Sequence, residues 1–133
     1  MNEEQEKVVE HRLKKAHETL ISAKLLLDAD QRISAVNRLY YACFYAVTAL
    51  LETRGLASSK HSGILSLFNK HFVKSGTIRS ESGTFYKHLY HKRHEGDYTD
   101  FAEFTHERVS EMYASAASFI AEISRLVEKE ILS

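Results

Sequence analysis

Apolar residues recur along most of this chain at intervals of three and four, which is the spacing of one face of an α-helix. The pattern predicts five helices, over about 3–28, 31–54, 61–75, 81–93 and 101–132. The second is apolar around most of its circumference, because a second row of apolar residues widens its main stripe. A helix of that kind belongs in the centre of a bundle. Its main stripe consists of Ile33, Val36, Tyr40, Phe44, Val47 and Leu51. The apolar residues of the fourth helix are Phe85, Leu89 and Tyr90, and the predicted inner face of the last helix begins with Phe104.

Turn-forming residues are rare, and three of the five glycines fall between the predicted helices. The chain has no proline and five glycines, of which Gly55 and Gly76 stand where the second and third helices should end. A glycine there can form a C-terminal cap, and Thr99 or Asp100 can cap the start of the last helix. An all-β protein would need turn residues about every 8–12 positions. The prediction is therefore a single all-α domain over 1–133, an up-and-down bundle of about five helices.

Composition narrows the class of protein. The chain is 44% hydrophobic, which is enough for a core, but no apolar run reaches the roughly 18 residues of a membrane span. Its N-terminus is acidic, unlike a secretory signal, and the single cysteine, Cys43, excludes an internal disulfide. These features predict a cytoplasmic protein with no membrane association, and none of them calls for a cofactor.

Charge is balanced overall but uneven locally. The 18 basic and 18 acidic residues give a formal net charge of zero, which excludes a basic footprint for duplex nucleic acid as a global property. The segment 86–94 is an exception, since it carries three cationic residues and three histidines and no acid. His88, His91 and His94 recur every third residue, but the outer pair diverges by roughly 120° on one helix. A solvated basic face is therefore favoured over a metal site.

A group of polar residues interrupts the central helix. Arg38 stands just before Tyr40 and Tyr41 in an otherwise apolar stretch, and burying such groups without partners is costly. In one interpretation the phenols are core aromatics bonded to the backbone or to the first helix. In the other, Arg38 and Tyr41 face a cleft that also holds Arg93. The first is favoured, because aromatic residues at helical spacing are usually core. His61 can cap the third helix or join that cleft, and the cap is favoured.

Four motifs, in this order, resemble those of HEPN domains, in particular the small stand-alone prokaryotic members that are often encoded beside a minimal nucleotidyltransferase. They are Arg38 with Tyr40-Tyr41-Ala42, Gly55-Leu56, Lys60-His61-Ser62-Gly63, and Arg93 followed by Asp97-Tyr98. The resemblance implies a homodimer whose two final inter-helix junctions meet, and a nucleotidyltransferase partner. It also implies a role in an RNA-directed or nucleotide-linked toxin–antitoxin or defence system, and many members are metal-independent endoribonucleases.

The resemblance places the site at the junction that follows Arg93. In the ribonuclease members an arginine is followed, after four to six residues, by a histidine. The arginine balances charge on the phosphate, and the histidine moves a proton. Counted from Arg93, those positions are Tyr98, Thr99 and Asp100, and none is a histidine. Either another group carries the proton, or the chain does not cleave RNA by that route.

The candidate catalytic residues are therefore Arg93, Asp97, Tyr98 and His94, with His94 as a substitute proton carrier. The candidate nucleotide- or RNA-binding residues are Arg38, Tyr41, His61 and Lys92, and no metal ligand is expected. A simpler interpretation of Arg93 is an exposed ion pair with Asp97, one helical turn away. Two functions stay open: an endoribonuclease, and a non-catalytic dimeric module that binds the nucleotidyltransferase and a nucleotide.

Overall fold

The computed structural model of this chain describes residues 1–95 and 104–133, with side chains described up to Arg93 and from Phe104 onward. Within those ranges the chain forms helices and no strand, which confirms the all-α prediction. The helices are α1 (Glu3–Asp28), α2 (Arg32–Glu52), α3 (His61–Phe68), α4 (Ser80–Glu95) and α5 (His106–Leu132). A short π-helical turn, Asn69–Val73, continues α3. No helix in the described ranges is both long and apolar enough to cross a bilayer.

Helix α2 is the central helix, as its apolar circumference predicts. Most of its residues from Ala35 to Leu51 are buried, and it packs against α1, α3, α4 and α5. The largest fully buried side chains are aromatic: Tyr40, Tyr86, Phe68, Phe72, Phe104 and Phe119. Two of these are tyrosines, and a buried phenol usually needs a hydrogen-bond partner inside the core.

The connection between α2 and α3 reverses the chain. Gly55, with a φ of +67°, ends α2, and the N–H of Leu56 donates to the carbonyl of Leu51 at 3.0 Å. This is a Schellman cap, and it confirms the cap predicted at Gly55. The chain then runs back along α2, so that α3 begins at His61 beside Tyr40 in the middle of α2.

The predicted start of the last helix is wrong. Helix α5 begins at His106 rather than near 101, and the hydroxyl of Thr105 caps it by accepting a backbone N–H of the first turn at 3.1 Å. Phe104, which the periodicity assigns to the inner face of this helix, is buried but precedes it. The caps suggested by the sequence, Thr99 and Asp100, lie outside the described residues.

Candidate functional site

Side chains from three helices meet at one ring nitrogen. The hydroxyl of Tyr40, on α2, lies 2.7 Å from Nδ1 of His61, the first residue of α3. The Nη1 nitrogen of Arg93, near the end of α4, lies 3.2 Å from the same Nδ1. Both distances are those of hydrogen bonds. We refer to Tyr40, His61 and Arg93 as the His61 cluster.

Aromatic rings frame this cluster. The ring of His61 stacks on Phe44, with centroids 4.3 Å apart and planes 16° apart. The ring of Tyr41 meets the imidazole edge-on, with centroids 5.7 Å apart and planes 88° apart. The guanidinium carbon of Arg93 lies 5.0 Å from the centroid of the Tyr40 ring, within reach of a cation–π interaction. These contacts fix the planes of the imidazole and the guanidinium while leaving their nitrogens for hydrogen bonding.

The start of α3 brings His61 to the cluster. Lys60 is the N-cap, and no side chain within the described residues caps this helix by a hydrogen bond, so the interpretation of His61 as a cap is wrong. A Cβ at Gly63 would lie 2.0 Å from the Oγ of Ser58 and 2.8 Å from its Cβ. The loop before α3 can approach the helix this closely only because glycine has no side chain. The motif of residues 60–63 therefore sets the position of His61.

Burial keeps the phenols in and beside this cluster protonated. Tyr40 is fully buried, and desolvation raises its pKa to about 12 despite the nearby charge of Arg93. Tyr86 stacks on Tyr40 with ring centroids 6.0 Å apart, and desolvation raises its pKa well above the usual value. The Tyr86 hydroxyl lies near that of Tyr40 but makes no hydrogen bond of good geometry among the described residues. Tyr40 can thus donate to His61, but it is no base at neutral pH.

The tyrosines of α2 match their favoured interpretation in part. Tyr40 is a core aromatic, but its hydroxyl bonds to an imidazole from α3, not to the backbone or to α1. Tyr41 is half-buried and borders the cluster through its contact with His61. Lys92 is half-buried beside Arg93 on α4. Among the predicted site residues, the structure therefore brings Tyr41, His61 and Arg93 together.

Arg38 lies away from the His61 cluster. It is two residues from Tyr40 on α2, which places the two side chains roughly 200° apart around the helix. It is exposed and borders a separate cleft of about 400 Å³, which is also lined by Leu26 and Ile33. The less favoured interpretation, in which Arg38 and Arg93 share a cleft, is therefore wrong. Any contact of Arg38 with a nucleotide or RNA would be made from another surface.

Several predicted residues cannot be placed. The side chain of His94, and Asp97 and Tyr98 entirely, lie outside the described part of the chain, as does the predicted ion pair of Arg93 with Asp97. His88 and His91 are exposed on α4. In the described ranges, no group of three or more histidine, cysteine, aspartate and glutamate residues is arranged to hold a metal ion.

Sequence reasoning missed the link between Tyr40 and His61. The two residues are 21 positions apart, and no motif spacing joins them. It also missed Tyr86, which is fully buried on the core face of α4, whereas Phe85 and Tyr90 pack against the core as predicted but are only partly buried. One signal was present: a tyrosine in the apolar stripe of a central helix needs a partner for its hydroxyl.

Comparisons with known proteins cover nearly the whole chain. A family model described as the HEPN domain matches residues 9–127. A UPF0332 protein of Thermotoga maritima is 46% identical over 125 residues, which are 94% of this chain and 95% of that protein. Two proteins of Methanocaldococcus jannaschii are each named as a candidate toxin. One is 35% identical over 88% of this chain and 86% of its own length. The other is 30% identical over 93% of this chain and 85% of its own length.

Proposed function

We propose that this chain, which belongs to the HEPN domain family, is a toxin-like protein. In this proposal it cleaves RNA at the His61 cluster, and the reaction needs no metal ion. The two relatives named as candidate toxins support the toxin-like character. One observation carries the proposed cleavage: the imidazole of His61 lies 3.2 Å from the guanidinium of Arg93. The sequence after Arg93 lacks a histidine at the family spacing, and in this proposal an imidazole from another helix lies beside the arginine instead.

The proposed reaction needs a fixed positive charge and a route for protons. The 2′-oxygen of the RNA forms a bond to phosphorus and the bond to the 5′-oxygen breaks, while the 2′-hydroxyl loses a proton and the leaving 5′-oxygen gains one. Arg93 pairs with the phosphate oxygens through its planar fork and stabilises the extra negative charge of the phosphorane. Lys92, His94, Asp97 and Tyr98 are the residues that we propose shape this site around Arg93.

The proposal includes two protein partners. A second copy of the chain brings the junction after α4 next to its counterpart, and a minimal nucleotidyltransferase is the cognate partner. Size-exclusion chromatography with light scattering tests the dimer, and co-purification with the nucleotidyltransferase encoded nearest to this chain tests the pair. A monomer at micromolar concentration would argue against a shared site.

A non-catalytic module is the second candidate function. The absence of a histidine at positions 98 to 100, the family spacing from Arg93, favours it. In that case the bundle supplies a dimer surface for the nucleotidyltransferase and holds a nucleotide phosphate at Arg93 without breaking a bond. Phosphate binding then depends on Arg93, whereas RNA stays intact.

Incubation of the purified protein with structured RNA and a chelator separates the two functions. We expect cleavage, and we expect Arg93→Ala to lower its rate by about 10²–10³, as the loss of a donor to transition-state charge does. Arg125→Ala is the matched control, because it removes an exposed arginine of α5 that lies beside Thr77 and Lys129. RNA with 2′-deoxy nucleotides at the cut positions should resist.

The outcomes divide clearly. Equal cleavage rates for Arg93→Ala and the parent protein would show that Arg93 is not part of the site. A loss of rate in Arg125→Ala as large as that in Arg93→Ala would show that the overall positive charge of the protein, not Arg93 itself, supports cleavage. Intact RNA with every protein, combined with tight binding of the nucleotidyltransferase, would favour the module.

A further inference from the structure

We propose that Tyr40 and Arg93 together fix which ring nitrogen of His61 carries the proton: Nδ1 accepts a hydrogen bond from each of them, and Nε2 bears the proton. Tyr40 is then a positioning residue of the site, although it lies in the core. Its effect on cleavage rests on the proposed function, whereas the protonation of the ring does not.

The donors around the imidazole determine its protonation. Every guanidinium nitrogen is a donor, and Nη1 of Arg93 lies 3.2 Å from Nδ1 of His61. A neutral imidazole has one protonated nitrogen and one bare nitrogen, and only the bare one accepts. Nδ1 is therefore the bare nitrogen and Nε2 the protonated one. The Tyr40 hydroxyl, 2.7 Å from the same nitrogen, is consequently a second donor to it.

Other states of the ring lose at least one of these bonds. A proton on Nδ1, in the other tautomer or in the imidazolium, could be donated to the Tyr40 hydroxyl but would face the N–H of Arg93. A ring turned by 180° would place a carbon where Nδ1 now lies and would leave the buried Tyr40 hydroxyl without this partner. The stack on Phe44 and the edge of Tyr41 keep the ring plane in place. The packing around His61 thus supports a single orientation.

This protonation limits what His61 can do in cleavage. Its bare nitrogen is occupied by two donors, so the ring contributes a proton donor, as the neighbouring guanidinium does. Phosphate oxygens are acceptors, and they suit a site built from N–H groups. His61 therefore stabilises charge on the phosphate, and a different group takes the proton of the 2′-hydroxyl.

Nuclear magnetic resonance reads the ring protonation directly when the histidine nitrogens are isotopically labelled, since a bare ring nitrogen resonates far downfield of a protonated one. The His61 signals are identified by their loss in His61→Gln. At neutral pH we expect a bare Nδ1 and a protonated Nε2 in the parent protein. Tyr40→Phe should move both signals part of the way toward the average of the two tautomers, because Nδ1 loses one of its two donors while Arg93 remains. Tyr86→Phe is the matched control, because it removes a buried hydroxyl that does not bond to His61, and it should leave them unchanged.

Two results would overturn the proposal: a protonated Nδ1 in the parent protein, or identical ring signals in the parent and Tyr40→Phe. In the cleavage assay, Tyr40→Phe should lower the rate roughly fivefold, the effect of one lost hydrogen bond, and Tyr86→Phe should not. An unchanged rate in Tyr40→Phe would remove its positioning role. If the parent protein cuts no RNA, the proposed function fails, and the ring signals still decide the protonation.

Discussion

Replacing Gly63 with alanine should destabilise the fold and displace His61, although alanine is the better helix former. The gain from helix propensity is about 1 kcal/mol. This gain is opposed by a steric clash, because the new Cβ of residue 63 would lie 2.8 Å from the Cβ of Ser58 and 2.0 Å from its Oγ. Such overpacking costs about 1–3 kcal/mol. Carbon atoms pack best at about 3.5–4.0 Å, so the cost should lie at the upper end of that range. We expect a net loss of about 1–2 kcal/mol.

Urea denaturation followed by circular dichroism measures this loss. With a slope of about 1.5 kcal/mol/M, the midpoint should fall by roughly 1 M. Because Gly63 lies in the same helical turn as His61, RNA cleavage should also fall under conditions in which the variant is fully folded. An alanine variant as stable as the parent protein, or more stable, would refute the argument from the close contact with Ser58.

A second substitution isolates the contact. In a Ser58→Gly background both clashing atoms are gone, so adding Gly63→Ala should be neutral or stabilising, and the cycle of single and double variants measures the coupling. Gly83→Ala is the matched control at another place, since its Cβ would lie 2.8 Å and 2.9 Å from the two methyl carbons of Val73. It should cost stability in the same way but leave His61 in place, so cleavage by the folded protein should not change.

Three further predictions follow from the core and from one surface pair. Tyr40→Ala should lower the free energy of unfolding by at least about 3 kcal/mol, because it empties a fully buried aromatic site, and a near-zero shift in the urea midpoint would show that the ring is not packed. Burial raises the pKa of Tyr40 to about 12. Between pH of about 10 and 12 the unfolded chain therefore binds fewer protons than the native one, and the free energy of unfolding should fall as pH rises. Tyr40→Phe should flatten this fall in urea denaturations repeated over that pH range, and an unchanged slope would contradict the assignment. Glu122 is partly buried, which opposes ionisation, but hydrogen bonds from Ser82 and Arg79 hold its pKa below the usual range. Its contribution to stability is therefore present above the unfolded pKa and lost as pH falls through the folded one, and Glu122→Gln should lose less stability in acid than the parent does.

The errors in the sequence prediction have physical causes. Helical periodicity located α1 and α2 well, because amphipathic spacing persists over many turns in both. It placed the start of α5 too early because Phe104 is buried without being helical. On α4 the aromatic residues stand close together in the sequence, so the pattern identified Phe85 and Tyr90, which pack partly buried against the core, but missed the fully buried Tyr86.

The candidate site was predicted less completely than the fold. Arg93, His61 and Tyr41 were each selected as candidate site residues, although for His61 the pattern favoured a helix cap over a place in the cleft. Helix caps can be recognised from neighbouring residues, whereas contacts between helices cannot. The family resemblance indicated where Arg93 should act, but it did not indicate which imidazole lies beside it.

The amino-acid sequence by itself determined that this chain forms a helical bundle with α2 at its centre, because periodicity, glycine caps and composition are local properties that can be read along the chain. The tertiary structure alone decided which polar groups meet. Tyr40 and His61 are 21 residues apart, and His61 and Arg93 are 32 residues apart. Only the reversal after Gly55 and the packing of α3 and α4 against α2 bring a phenol, an imidazole and a guanidinium to one point.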